Sequence, residues 1–293
     1  MQVQPTNLRT ALITGSSSGF GLLTTITLAK RGWRVLATMR DLERREPLEA
    51  AARAVGVLDR IEILPLDVTD NVQIAALAAE IAQRPAPLDA IVNNAGFAMA
   101  GFSDDVSDAE LRSQFDTNFF AHAAVTRAFL PQLRRQGFGH IVMLSSISGR
   151  VGFPGVGSYV ASKHALEGWA ETLRLEMLPL GIQVALVEPG SFETAIWSRG
   201  TTLSQRTLNA ESQDGQSSPN QARMAKLLTG MRNRKKLPDP QIVADRIVRI
   251  LETPRPRLRH VVGRDARLVL VLRALLPSRL YEWILIKTSG ITE

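Results

Sequence analysis

The chain has 293 residues, 45% hydrophobic and 22% charged, an ordinary globular composition with room for one large domain or two small ones. It has no cysteine, which excludes disulfides and thiolate chemistry, and its four histidines (His122, His140, His164 and His260) lack ligand spacing, so no metal site is expected. The net charge of +7 is spread along the chain, which fits solubility and a phosphate-bearing cofactor better than nucleic acid, and no nucleic-acid partner is expected.

The N-terminus lacks an apolar signal core, and no apolar run approaches the roughly 20 residues a spanning helix needs. A cytoplasmic protein is the expectation. Residues 9–14 read as a short buried strand. A glycine turn with Gly15, Gly19 and Gly21 follows, and then a helix over residues 22–30. Strand, glycine turn and helix together make a pyrophosphate cradle: glycine permits the tight turn and the close approach of a phosphate to a helix N-terminus. A plain turn is the bland alternative.

Residues 34–38 are a second strand, followed by Met39, Arg40 and Asp41. The end of this strand is where a ribose 2′ position is read. Arg40 would pair with the 2′-phosphate of NADP, which favours NADP(H) over NAD(H), while Asp41 opposes part of that attraction. Otherwise Arg40 is a solvated loop residue. Residues 47–55 look helical. Residues 61–66 form a third strand ending at Asp67, which is expected at the adenine edge. Asp70 is placed to cap a helix over 71–82. Residues 88–92 form a fourth strand ending in Asn93, Asn94, Ala95 and Gly96, amides that can brace strands or line a cleft. A long helix is expected over 107–135 with Asn118 in its middle, an unfavoured interior residue that a buried polar contact would explain. Residues 141–144 form strand five, leading to Ser145 and Ser146.

The next stretch holds Ser146, Tyr159 and Lys163 at fixed separations. Tyr159 and Lys163 are four apart and share a face if the segment is helical. A free phenol has a pKa of roughly 10, and a neighbouring ammonium lowers it. A phenol tuned in this way can exchange a proton with a substrate oxygen near neutral pH. Alone, the pair is equally an ordinary helix face.

Residues 183–187 form strand six, ending at Pro189, Gly190 and Ser191. From 191 to about 238 the strand–helix rhythm stops. A polar patch from Asn209 to Asn220 lies between segments carrying Trp197, Met224, Leu227, Leu228 and Met231, which suggests a substrate lid. Residues 232–236 are a short basic run, a solvated helix end or an anion contact. Residues 240–251 read as a helix with Ile242, Val243, Ile247, Val248 and Leu251 at helical spacing, and 260–262 as strand seven. The tail from about 264 to 290 is apolar and helical, broken at Pro277. It packs on the core, on a partner subunit or on a membrane surface.

Alternation of strands and helices from end to end specifies an α/β fold, a Rossmann-like doubly wound parallel sheet of about seven strands with helices on both faces, in one domain over 1–293. Gly15, Arg40, Asp67, Asn93, Ser146 and Pro189 all fall at strand carboxyl ends, on the ligand edge of such a sheet. The run from Thr14 to Gly21, the segment Asn93–Gly96, Asn118, Ser146, Tyr159-x-x-x-Lys163 and Pro189-Gly190 with Thr194 resemble the short-chain dehydrogenase/reductase family in order and spacing, over residues 9–194. The resemblance implies a catalytic tetrad of Asn118, Ser146, Tyr159 and Lys163. Tyr159 is then the acid/base, Ser146 polarises the carbonyl, Lys163 holds the nicotinamide ribose, and Asn118 supports a proton-relay water.

The resemblance also implies cofactor contacts at Gly15, Ser17, Ser18, Gly19, Phe20, Gly21, Arg40, Asp67, Val68, Asn94, Ala95, Gly96, Tyr159, Lys163, Pro189, Gly190 and Thr194, and assembly as a homodimer or homotetramer. Residues 37–41 and 262–266 resemble the branch containing 17β-hydroxysteroid and retinol dehydrogenases. The expected activity is NADP(H)-dependent hydride transfer to or from a small, apolar alcohol or carbonyl, steroid-, retinoid- or fatty-aldehyde-like. The alternative is a catalytically idle dinucleotide-binding redox sensor or partner-binding module.

Overall fold

The computed structural model describes residues 8–192, 201–208, 220–232 and 237–291. Seven parallel strands form the central sheet in the order β3-β2-β1-β4-β6-β7-β9. They are β1 (Thr10–Ile13), β2 (Arg34–Met39), β3 (Ile61–Pro65), β4 (Ala90–Asn93), β6 (Gly139–Leu144), β7 (Ile182–Pro189) and β9 (Arg259–Val262). A second, two-stranded sheet pairs β5 (Ala98–Ala100) with β8 (Thr201–Leu203) in parallel. No sequence signal had marked β5 or β8, because three-residue strands show no usable periodicity.

Period-two alternation explains the layering. On β1, Ala11 and Ile13 face one layer and Leu12 the other, and Val35 and Ala37 oppose Leu36 on β2 in the same way. The first layer packs on α1 (Gly19–Lys30), α2 (Glu46–Ala54) and α9 (Gln241–Leu251) through residues such as Leu28, Leu48, Val243 and Ile247. The second packs on α3 (Asn71–Ala82), α5 (Ala121–Gln136) and α6 (Gly157–Met177) through Leu77, Phe129 and Leu166. Each fully buried aliphatic or aromatic side chain stabilises by about 1.5–3 kcal/mol, and both faces are filled, as a parallel sheet requires. Of the helically spaced apolar residues of α9, Val243, Ile247, Val248 and Leu251 are buried and Ile242 is half exposed.

Two helix boundaries also differ. α1 begins at Gly19, so the last glycines of the turn already belong to the helix. The long helix over 107–135 is broken into α4 (Asp108–Phe115), a π turn (Asp116–Phe120) and α5. α4 starts in a capping box, Ser107 with Glu110, and α3 starts at Asp70, whose carboxylate accepts from Val72 N at 2.8 Å and Gln73 N at 3.2 Å. Among the described residues the remaining α-helices are α7 (Gln205–Leu208), α8 (Gln221–Arg232), α10 (Arg264–Leu275) and α11 (Ser278–Ser289). Among the described residues no helix is long and apolar enough to cross a membrane.

Candidate active site

Strand order reverses between β1 and β4, so the loops after these strands diverge and leave a crevice at their carboxyl ends. Thr14 and Asn94 fasten the two loops together. Thr14 Oγ1 accepts from the backbone N–H of Asn94 at 2.9 Å and of Ala95 at 3.0 Å. Asn94 Nδ2 donates to the carbonyls of Thr14 at 2.8 Å and Gly15 at 3.0 Å. The same spot explains Gly21: a Cβ there would stand 2.2 Å from Gly15 O and 2.5 Å from Asn94 Nδ2. Gly19 has φ +56°, and the space its Cβ would enter is open.

Ser18, the N-cap of α1, makes no side-chain capping bond. It leaves the first-turn N–H groups without a side-chain cap at the positive end of a helix, which suits a pyrophosphate. Ser16 is buried under the loop, its hydroxyl on Ile13 O. Phe20 packs edge-on against buried Phe192, ring centroids 6.0 Å apart. Arg40 is exposed at the end of β2. Asp41 points elsewhere: its carboxylate accepts from Glu43 N at 2.9 Å and caps the next turn. Asp67 stands at the end of β3, its carboxylate held by Thr69, with Val68 nearly buried beside it. These groups fit a nicotinamide dinucleotide lying across the strand ends.

Asn118 is fully buried in the π turn. Its Oδ1 accepts from Phe97 N at 3.1 Å, while its Nδ2 donates to Phe97 O at 2.9 Å and to Ser162 Oγ at 3.4 Å. The extra residue of a π turn re-aims a side chain, and such turns recur at functional sites. The expected buried polar contact is therefore a backbone clamp beside Gly96. Asn93 instead braces the helix layer, donating to Thr126 Oγ1 at 2.9 Å.

Ser146 ends the stretch after β6 and caps a short 3-10 turn, Ser148 N donating to its Oγ at 3.1 Å. The side chains of Ser146 and Tyr159 are hydrogen-bonded, and both residues are buried. The thirteen-residue separation thus closes in space. Lys163, one helical turn below Tyr159 on α6, donates to Leu144 O at 2.7 Å and stands 5.8 Å from the centre of the tyrosine ring. Burial pulls its ammonium down to about 8, against Glu167, which favours the charge.

The expected depression of the tyrosine is not found. Burial pushes Tyr159 up to about 12, and the Ser146 hydrogen bond only partly offsets this. Desolvation of the phenolate wins, because the ammonium faces a main-chain carbonyl and the tyrosine ring.

Three groups that the sequence reading did not single out support the site. His122, one turn after Asn118, bonds Ala95 O through Nε2 at 2.7 Å. That nitrogen carries the proton, since a carbonyl only accepts. Burial, then Lys163, push His122 down to about 3, so it is neutral. The i, i+4 relation to Asn118 was the available signal. Asp265 at the start of α10 accepts from Ser191 N at 2.7 Å, and Gly190 N donates to Val262 O at 2.8 Å, so the tail fixes the turn after β7. Behind Lys163, Arg259 pairs with Glu167 at 2.9 Å, Glu171 at 2.8 Å and Glu188 at 3.5 Å. Glu188 is fully buried; burial and then Glu167 push it up to about 7.

Thr194 and Trp197 lie outside the described residues, as do 209–219 and 233–236. α8 packs beside Tyr159: Met224 is buried with Ala98, Ala100, Val156 and Tyr159, and Phe102, Phe153, Leu203 and Leu228 close the cluster. Asn220 donates to Asp104 Oδ1 at 2.8 Å.

Comparison with known proteins bears on the family. A family model described as short chain dehydrogenase matches residues 9–202. YusZ of Bacillus subtilis (strain 168), an uncharacterized oxidoreductase, is 43% identical over 96% of this chain and 98% of its own length. Retinol dehydrogenase 8 of Bos taurus is 34% identical over 92% of this chain and 86% of its own. A short-chain dehydrogenase structure from Streptomyces avermitilis superposes with a TM-score of 0.75 at 33% identity, covering 97% of this chain and 98% of that one. Similar folds hold NADP in a Burkholderia cenocepacia enzyme (22% identity, TM-score 0.70, 94% and 97% covered) and NAD in one from Burkholderia phymatum (25%, 0.75, 92% and 93%). With the parallel sheet, the glycine cradle at its switch point and the paired hydroxyls of Ser146 and Tyr159, these matches establish that the chain is an oxidoreductase belonging to the short-chain dehydrogenase/reductase family.

Proposed function

We propose that the protein is an NADP(H)-dependent oxidoreductase that interconverts a carbonyl and an alcohol on an apolar substrate. The observation that carries this is the buried hydrogen-bonded pair of Ser146 and Tyr159 beside an apolar wall. The cofactor, when bound, supplies or accepts the hydride at nicotinamide C4. In reduction, Tyr159 Oη gives its proton to the substrate oxygen as the carbonyl carbon takes the hydride. Ser146 donates to the same oxygen while negative charge develops there. Lys163 provides a fixed cation beneath the phenol, and with a pKa of about 8 it is mostly charged at neutral pH. Asn118 clamps the Phe97 backbone just after Gly96.

Arg40 supports NADP over NAD: it is exposed where a 2′-phosphate would sit, and Asp41 is engaged in a cap. An apolar substrate is supported by Ala98, Ala100, Val156 and Met224 around Tyr159 and by the likeness to retinol dehydrogenase 8. The stretch 191–238 is the substrate lid in this reading, through the packing of α8 on that wall.

The test is single-turnover NADPH oxidation with steroids, retinal, long-chain aldehydes and small ketones, by wild type, Tyr159→Phe and Arg40→Asp. Tyr159→Phe should lose on the order of 10² in rate or more with NADPH affinity nearly intact. Arg40→Asp should narrow or reverse the preference for NADPH. A Tyr159→Phe protein reducing substrate at the wild-type rate overturns the acid assignment. Tight NADPH binding with no turnover across the panel favours an idle sensor instead.

A further inference from the structure

The tail helices α10 and α11 are apolar on two opposite faces. Inward, Ala266, Val269 and Leu270 of α10 and Tyr281 and Leu285 of α11 pack around Ile147 and Val151. Outward, Leu268, Val271 and Leu275 follow one another on the opposite face of α10, and Leu275 is 75% exposed. Leu280, Trp283 and Ile286 do the same on α11, with Trp283 55% exposed. An exposed apolar ridge of this kind marks a surface that meets a second apolar environment. The inward packing already accounts for the first.

Beside the root of α10 lies an open cleft of about 650 Å³, lined by Arg246, Arg255, Arg257, Arg259 and Arg267 with His260. Arg259 is neutralised by its three glutamates. The other four arginines have no carboxylate within ion-pair distance among the described residues. Arg246 is partly desolvated, with Arg249 and Arg267 as its charged neighbours, and both repel it. Burial, and then the charges of Arg246, Arg174 and Arg257, push the half-buried His260 below its ordinary value. Such a concentration of unpaired cations calls for an anion. Arg264 and Arg267 share the outward face of α10 with Leu268, Val271 and Leu275, so the cationic cleft and the apolar ridge form one continuous surface.

We propose that this surface docks on an anionic phospholipid bilayer, with phosphate headgroups entering the arginine cleft and the outward faces of α10 and α11 resting among the acyl chains. Charge selects this occupant over a second copy of the chain. A two-fold contact would set each cluster of unpaired arginines near its own image, whereas a headgroup layer neutralises it. Trp283, with Lys287 Nζ 4.7 Å from its ring centre, has the amphipathic character of residues at a membrane boundary. This docking does not depend on the reaction proposed above.

The experiment is flotation of the full chain with vesicles of phosphatidylcholine alone and of phosphatidylcholine with phosphatidylglycerol, at low and high salt. Binding should need the anionic lipid and fall with salt. Each basic residue near an anionic surface contributes a factor of about five in partitioning. Arg246→Gln with Arg267→Gln should therefore weaken binding by at least ~10-fold, and Leu275→Ser with Trp283→Ser should do the same. Both pairs should leave NADPH binding unchanged, which shows that the variants fold. Failure to float with anionic vesicles overturns the proposal, as does binding indifferent to both pairs. A Leu275→Ser, Trp283→Ser protein that falls from dimer to monomer in sedimentation, with no vesicle binding by wild type, would show that a second copy covers the face.

Discussion

The acid at the centre of the proposed reaction can be watched directly, because the chain has only two tyrosines, Tyr159 and Tyr281. A Tyr281→Phe variant leaves Tyr159 as the sole phenol. Tyr281 is half-buried near the start of α11, where its ring packs with Ile147 and Val151, and phenylalanine keeps that ring, so the change should spare the fold. In the cofactor-free protein burial pushes Tyr159 up to about 12. The rise from the ordinary value near 10 is worth about 3 kcal/mol in favour of the phenol over the phenolate. At pH 7 the phenolate is then only about 10⁻⁵ of the molecules.

The assay is ultraviolet difference titration at the tyrosinate band. No phenolate should appear below pH 10. A titration with a midpoint below about 9 in the cofactor-free protein would refute the desolvation argument. The sign has a catalytic consequence. Reduction needs the protonated phenol and has it at every neutral pH. Oxidation needs the phenolate, so its rate should climb about tenfold per pH unit across the neutral range unless bound cofactor lowers the phenol's pKa.

Gly21→Ala drives a methyl group against Gly15 O and Asn94 Nδ2; it should lower the melting temperature and weaken NADPH binding at least ~10-fold, and retention of both would refute the cradle. Asn118→Ala removes the acceptor of Phe97 N, while Phe97 O keeps Gln114 as a donor at 2.9 Å. One orphaned N–H costs about 1–3 kcal/mol, which urea unfolding would register as a lower midpoint with an unchanged slope. Glu188, raised to about 7 from an ordinary carboxylate value near 4.5, holds its proton longer in the folded than in the unfolded chain. Its burial penalty is absent below pH 4.5, grows through the window and is complete above about 7. Glu188→Gln should therefore raise the melting temperature relative to wild type more at pH 8 than at pH 5, and an offset that does not change with pH would refute the assignment.

The sequence by itself determined the fold and the edge on which the site lies. Strands buried on both faces, alternating with helices, leave only a doubly wound parallel sheet, and Gly15, Arg40, Asp67, Asn93, Ser146 and Pro189 all sit at strand carboxyl ends. Such features are local: periodicity of two or 3.6, glycine where the backbone must turn, aspartate at a helix start. Asp70 and the Tyr159–Lys163 helix were legible for that reason. What depends on distance through space was not. The sequence puts a lysine one turn from a tyrosine and suggests a lowered pKa. Only the packed structure shows the ammonium turned to Leu144 O and the phenol desolvated, which reverses the sign. The clamp of Asn118 on Phe97, the tie of Asp265 to Ser191 and the three glutamates on Arg259 each join residues 21 to 92 positions apart. No local pattern encodes such pairs, because the contact free energy depends on a burial that exists only after the layers have closed. The tail makes the same point: its apolarity was plain in the sequence, but which face meets the core and which meets the outside was decided by where Ile147 and Val151 come to lie.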